Sequence, residues 1–308
     1  MTRVSSFGQQ QLLLQGIFDN QQRVFTSQQQ LITGNKTDEF RGLAGQATTL
    51  ASTKGFKSRV EAYQATIDTV RGRLDANDVQ LQGVLDTARE LRENILTVLG
   101  QNQAAGFRPL LEESYAFVAN SLNSNVGGQY LFAGSKVDTP PVNALTLSDL
   151  LAASAVADVF DNDADRYRAR VADNVEVTFG VLANDIGQEL FTTIRSIAEF
   201  DANFATGPVD GELTAAQRTF LETELANLDA AIDGIQTIQV DNGLKFDRLE
   251  TIDDQHSDTD LFLEVFIADI EEVDTAEAIT RLNNDQVALQ ASYQSISTLT
   301  QLTLLDFI

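Results

Sequence analysis

The sequence predicts a mainly α fold: an elongated antiparallel coiled coil or helical bundle formed by the N- and C-terminal segments, with a small β-containing outer domain inserted between them. Three observations carry that prediction. Apolar residues recur every three and four positions at both ends of the chain. Alternation of period two appears only in the middle. And the 308 residues include just 4 Pro, so long helices can run unbroken.

In the first 32 residues Val4, Gln11, Phe18, Phe25 and Ile32 fall seven apart, with Phe7, Leu14, Gln21 and Gln28 as the companion row. This is an a/d seam diluted with Gln. A helix with so little apolar surface is marginal alone and orders only against a partner. Turn-forming residues at Thr33-Gly34-Asn35-Lys36-Thr37-Asp38 end it, and a small-residue segment runs to about Thr53.

From Val60 the period returns for six heptads. Val60, Ile67, Leu74, Leu81, Ala88 and Ile95 form one row, and Tyr63, Val70, Asn77, Val84, Leu91 and Val98 the other. At about 1.5 Å per residue such a rod approaches ~60 Å. The stretch from Gly100 to Pro109 stops it, and a shorter helix with Leu111, Tyr115, Val118 and Leu122 on one face follows.

The middle reads differently. Tyr167, Ala169 and Val171 alternate, Asp173-Asn174 offers a turn, and Val175, Val177 and Phe179 return, which predicts a hairpin. Helix resumes near Ile186 and breaks at Gly207-Pro208. Thr214 and Gln217 have capping-box spacing ahead of Leu221, Leu225, Leu228, Ile232 and Ile235. After Gly243 a further row holds Leu249, Ile252, His256, Leu263, Phe266, Ile270 and Val273. The register slips between Asp274 and Ile279, and Ile279, Leu282, Leu289, Tyr293 and Ile296 make the last seam.

The expected organisation is an N-terminal assembly helix at 1–40, long core helices at 41–137 and an inserted outer domain with the hairpin at 138–210. Returning core helices follow at 211–274 and a C-terminal assembly helix at 275–308. The residues expected to carry assembly are Val4, Phe7, Leu14, Phe18, Phe25 and Ile32 at one end. At the other they are Leu289, Tyr293, Ile296, Leu302, Leu305 and Phe307. Their apolar faces should be exposed in a free chain and buried between chains.

Composition removes many functions. With no Cys there is no disulfide framework, thiol nucleophile or thiolate metal site. A single histidine, His256, builds no His-based triad or His-pair site. It falls on a seam position and reads as structural, a pH switch of assembly being the sharper alternative. The net charge is −24, and its distribution is uneven: 13 basic and 14 acidic residues up to position 154, then 8 and 31. So acidic a chain repels phosphate backbones, and nucleic acid is not expected as a partner. No apolar run of membrane-spanning length is present, nor an N-terminal apolar stretch of the signal-peptide type, so no membrane partner or cleaved signal is expected.

Asp161, Asp163 and Asp165 have the spacing that opens an EF-hand loop, but Arg166 stands where glycine should turn and Ala172 where the bidentate glutamate should be. No metal or cofactor is expected. The chain reads as a non-enzyme, with a hydrolase built on paired carboxylates as a distant alternative.

Three segments resemble the bacterial flagellins and flagellin-like hook-associated proteins. Gln28-Gln-Gln-Leu-Ile-Thr-Gly-Asn-Lys is similar to the family's end to the N-terminal helix. Gly127-Gly-Gln-Tyr-Leu-Phe-Ala-Gly-Ser-Lys-Val-Asp-Thr-Pro-Pro-Val resembles the G-x-Y-x-F-x-G passage from core to outer domain. Ala276-Glu-Ala-Ile-Thr-Arg-Leu-Asn-Asn-Asp-Gln-Val-Ala-Leu-Gln-Ala-Ser-Tyr, with Leu304-Leu-Asp-Phe-Ile308, is similar to the C-terminal helix and tail. The Tyr-Leu-Phe-Ala-Gly-Ser run and the Asp-Phe-Ile ending resemble the members that join hook to filament. The segment from Asn35 departs from the motif of filament-forming flagellins, which stay as the alternative. The resemblance implies a structural subunit of an extracellular flagellum, exported without a cleaved signal. It implies self-association, another hook-associated protein and flagellin as axial neighbours, and an export chaperone on the C-terminal region.

Overall fold

The computed structural model describes the backbone of residues 2–37 and 40–305; the side chains of residues 1–7, 9, 10, 38–41, 44 and 299–308 lie outside the description. Long helices dominate: α1 (Thr2–Thr33), α2 (Ala47–Gln101), α6 (Ala215–Glu271) and α7 (Thr275–Leu305), with shorter α3 (Phe107–Leu122), α4 (Leu147–Ala152) and α5 (Ala183–Ala202). Two antiparallel pairs, β1 (Asn125–Val126) with β2 (Gln129–Tyr130) and β3 (Arg168–Ala172) with β4 (Val175–Thr178), supply the β structure. The predicted helical class with a small β-containing insertion is what the chain adopts. Contacts divide it into two units, Val60–Ser257 and a terminal unit of Met1–Arg59 with Asp258–Ile308.

In the unit 60–257 the heptad rows of α2 point inward. Val60, Ile67, Leu74, Leu81, Ala88 and Ile95 are all essentially inaccessible. Each such leucine or isoleucine contributes about 1.5–3 kcal/mol by leaving water, which outweighs the rotamer entropy it loses. Two apolar clusters result. The larger joins Leu81 and Ile95 with α3, α4, α5 and the start of α6; the smaller joins Ile67, Val70 and Leu74 with Leu249 and the hairpin residues Val171, Val177 and Phe179. A polar layer lies at the step from one to the other. Asn77 and Asn242 are both buried, and Asn242 Nδ2 donates to the Leu74 carbonyl at 2.9 Å.

The hairpin has the predicted turn, with Ala169 opposite Val177 and a bulge between Arg170 and Ala172. It is clasped to the helices by His256 Nε2, 2.7 Å from the Val171 carbonyl, and by Tyr63, which stacks on the His256 ring and donates to Asp173 at 3.0 Å. His256 is therefore a clasp residue. The capping box also forms: Thr214 N donates to Gln217 Oε1 at 2.9 Å, and Gln217 N to Thr214 Oγ1 at 3.3 Å.

Two sequence expectations are corrected. Helix α2 starts at Ala47, ahead of the small residues that read as non-periodic, because a helix with one exposed small-residue face shows no apolar period there. Gly243 does not interrupt α6, which runs through it; the cost of about 1 kcal/mol for a mid-helix glycine is small beside the packing on either side. The register slip after Asp274 is a true break between Glu271 and Thr275, where Asp274 Oδ1 accepts from Ala276 N and Glu277 N to cap α7.

Candidate assembly surface

Helices α1 and α7 lie side by side in the terminal unit, and their shared seam is polar. Asn20 is buried and donates to Ser292 Oγ at 2.7 Å. Ser27 donates to Asp285 at 3.2 Å, Arg23 approaches the same carboxylate at 3.5 Å, and Gln21 Nε2 donates to the Tyr293 hydroxyl at 2.6 Å. Apolar contribution is thin: Ile17 is the one buried apolar residue of α1 among those described, flanked by half-buried Leu13, Val24 and Leu31. The pair is tied to the next elements by main-chain bonds, Lys36 N to Glu271 O at 2.7 Å and Val273 N to Gly34 O at 2.9 Å.

The apolar row predicted on α1 faces the other way. Leu14, Phe18, Phe25 and Ile32 are exposed, Ile32 by 84%. They repeat at four and seven residues, so they form one stripe directed away from α7. The row read from the sequence as a seam is thus not the seam within the chain. That seam is Leu13, Ile17, Asn20, Val24, Ser27 and Leu31, which carries the same period and was hidden by its polar members. On α7, Leu289 and Ile296 are half-buried in line with Leu282, Asp285 and Ser292, while Tyr293 is 48% exposed. The side chains of Val4, Phe7, Leu302 and Leu305, and all of Phe307, lie outside the described residues.

The surface is nearly uncharged. Residues 2–33 and 275–305 together hold three basic and three acidic side chains, whereas residues 60–257 hold 13 and 32. No strong Coulomb term opposes two such surfaces meeting.

The acidic loop is held by hydrogen bonds of its own carboxylates. Asp163 Oδ1 accepts from Ser135 N and Asp165 N at 3.0 Å each, and its other oxygen accepts from the Ser135 hydroxyl. Those bonds hold the Asp163 carboxyl below its usual pKa. Asp161 instead accepts from Asn143 at 3.1 Å. Gly134 explains the glycine of the G-x-Y-x-F-x-G stretch: its φ is +68°, and a Cβ there would lie 2.1 Å from Asp163 Oδ1. Among the described residues no group of three or more His, Cys, Asp or Glu could hold a metal ion, and no helix is long and apolar enough to cross a membrane.

Residues 225–308, which include all of α7, match the family described as the bacterial flagellin C-terminal helical region. The C-terminal part is flagellin-like. Flagellar hook-associated protein 3 of Escherichia coli is 25% identical over 201 residues, 63% of this chain and 62% of that protein, so the chain spans less than two thirds of this relative. Solved structures share the fold. A Vibrio parahaemolyticus chain provisionally assigned as a flagellar hook-associated protein superposes with TM-score 0.59 at 19% identity, covering 72% of this chain and 96% of that one. Bacillus cereus FlgL gives 0.55 at 16%, covering 70% and 99%. The resemblance read from the three segments is met by these matches.

Proposed function

We propose that this chain is a structural, non-catalytic subunit of the bacterial flagellum that joins hook to filament and polymerises through its terminal helices. In this reading residues 1–40 and 275–308 are the inner assembly elements, and 138–210 an outer insertion. The observation that carries it is the exposed stripe of Leu14, Phe18, Phe25 and Ile32 on a helix whose own seam is polar. A helix so weakly held within the chain gains most of its order by burying that stripe against other subunits. Val4, Phe7, Leu289, Tyr293, Ile296, Leu302, Leu305 and Phe307 belong to the same proposed interface. Its partners are copies of itself, with another hook-associated protein and flagellin as axial neighbours, and an export chaperone on the C-terminal region before assembly. The chain leaves the cell without a cleaved signal, and the absence of Cys leaves no crosslink to obstruct unfolding during export.

The 25% identity to hook-associated protein 3 favours the junction role, while the flagellin C-terminal match favours a filament subunit as the second reading. Antibody labelling of isolated flagella separates them. A thin band at the distal end of the hook is expected; label along the filament would give the second reading, and no label on flagella would end both.

A further inference from the structure

The terminal unit carries a second apolar surface, on the C-terminal part of α6. Leu261, Phe262 and Val265 are each more than 60% exposed, and with Asp258 and Asp269 they form one outward stripe. An uncovered Leu-Phe-Val ridge on a folded helix marks an interaction site. Residues 258–271 hold five acidic side chains and no basic one. The start of α2, in the same unit, is the converse: residues 47–59 hold Lys54, Lys57 and Arg59 and no acid.

Lys54 and Lys57 already pair with Glu271 and Asp260, at 2.6 Å each. Arg59 is exposed beside the Phe56 ring, and it shares an outward face with Thr48, Ser52 and Gly55. A Cβ added at Gly55 would meet nothing within 4 Å, so that face is open.

We infer that the ridge of Leu261, Phe262 and Val265 docks on the Thr48–Arg59 face of α2 in a second copy of this chain. The spacings match residue for residue. Positions 48, 52, 55 and 59 and positions 258, 262, 265 and 269 have the same four-, three- and four-residue steps in opposite order. Antiparallel packing therefore sets Arg59 against Asp258, Gly55 against Phe262, Ser52 against Val265 and the Thr48 hydroxyl against Asp269. This is the register of the intrachain Lys57–Asp260 pair, repeated on the outward faces of the same helices. Bulky side chains meet small ones, and the cation meets a carboxylate. Because the two surfaces differ, the contact is head-to-tail and propagates from subunit to subunit. A patch of this size is weak alone and acts in concert with the terminal stripe. The inference rests on the proposed self-assembly.

The absence of Cys makes the test clean. Full-length Gly55→Cys and Phe262→Cys chains are prepared separately, then mixed, concentrated in sulfate to drive assembly and oxidised. The mixture is expected to give a disulfide-linked dimer that neither variant gives alone. Asp258→Arg in the Phe262→Cys chain should cut its yield about tenfold, the change expected for losing one well-made ion pair. Arg59→Asp in the Gly55→Cys chain should then restore it. Pelletable assembly without the mixed dimer overturns this contact and leaves self-assembly standing. If wild-type chains form no assembly at all, the self-assembly reading falls and this contact with it.

Discussion

The unit 60–257 and the terminal pair α1/α7 use the same helical period to opposite ends. In α2 the heptad residues are turned inward and sealed, from Val60 to Ile95. In α1 the larger heptad residues, Phe18 and Phe25, are turned outward, and the inward row includes Asn20 and Ser27. One region spends its apolar surface within the chain, while the other keeps it available. Charge divides the same way, with the acidic excess on residues 60–257 and almost none on the terminal helices. In the proposed assembly, a chain so divided would fold its middle alone and hold its ends in reserve for a neighbour.

The sharpest way to break that comparison is to injure each region in turn. Leu74→Ala removes a fully buried side chain and should lower unfolding free energy by about 2–5 kcal/mol. Phe18→Ser removes an exposed one and should leave stability within about 0.5 kcal/mol while abolishing assembly. Urea unfolding and sedimentation read the two effects separately. Equal loss of stability from both would make the outward stripe part of a hidden core.

Ionic strength gives the next largest effect. In the proposed assembly, copies drawn together through uncharged ends would bring acidic surfaces with them, and that repulsion is screened as the Debye length falls to about 8 Å near 0.15 M salt. Assembly followed by light scattering should therefore increase as salt is raised from about 0.01 M. A decrease would mean that opposite charges, not apolar faces, dominate the contact.

How much of this was legible in the sequence follows from what periodicity can carry. The six heptads of α2 and the row from Leu249 to Ile270 pointed to buried positions because one face of each helix repeats over a long run. Phe266, at 37% exposure, is the exception within the second row. On α1 two faces repeat with one period, and the sequence favours the row with phenylalanines. Nothing local tells which face meets α7; the answer lies in Ser292 and Asp285, more than 250 residues away. The β3–β4 hairpin was readable from alternation and a turn. The loops from Asn123 to Val159 were not, because they are held by isolated side-chain bonds such as Asn123 Nδ2 to Val142 O at 2.9 Å and Tyr115 to Ala144 O at 2.8 Å. The polar layer was visible only as Asn77 standing in an apolar row.

That layer yields a smaller test of how far the middle has optimised its own packing. Buried carboxamides cost desolvation, and the Oδ1 atoms of Asn77 and Asn242 are buried without a donor, so replacing both removes two unpaired acceptors. The double substitution Asn77→Leu and Asn242→Leu should be neutral or raise stability by about 1 kcal/mol. Asn242→Leu alone takes the carboxamide donor from the Leu74 carbonyl and leaves Asn77 buried, so it should destabilise by about 1 kcal/mol. Thermal melts of both variants decide it; a double variant less stable than the single would show that the layer is a net support.

The smallest effect is expected from Asp163, where a loop of the middle region depends on one charge. Its carboxylate accepts from the Ser135 hydroxyl and from the main-chain N–H groups of Ser135 and Asp165, which depresses its pKa in the folded chain, Lys136 adding to the shift. A group whose folded pKa lies below its unfolded value, about 4 for aspartate, stabilises fully above that value. The contribution then declines as pH falls through the depressed folded value. Asp163→Asn keeps one acceptor oxygen but has no charge to titrate. The urea midpoint of the variant should therefore lie slightly below wild type at neutral pH, and the gap should close as pH drops below about 4. A gap unchanged down to about pH 2 would assign the loss to geometry in the crowded space beside Gly134, where the carboxylate oxygen already sits where a Cβ would be.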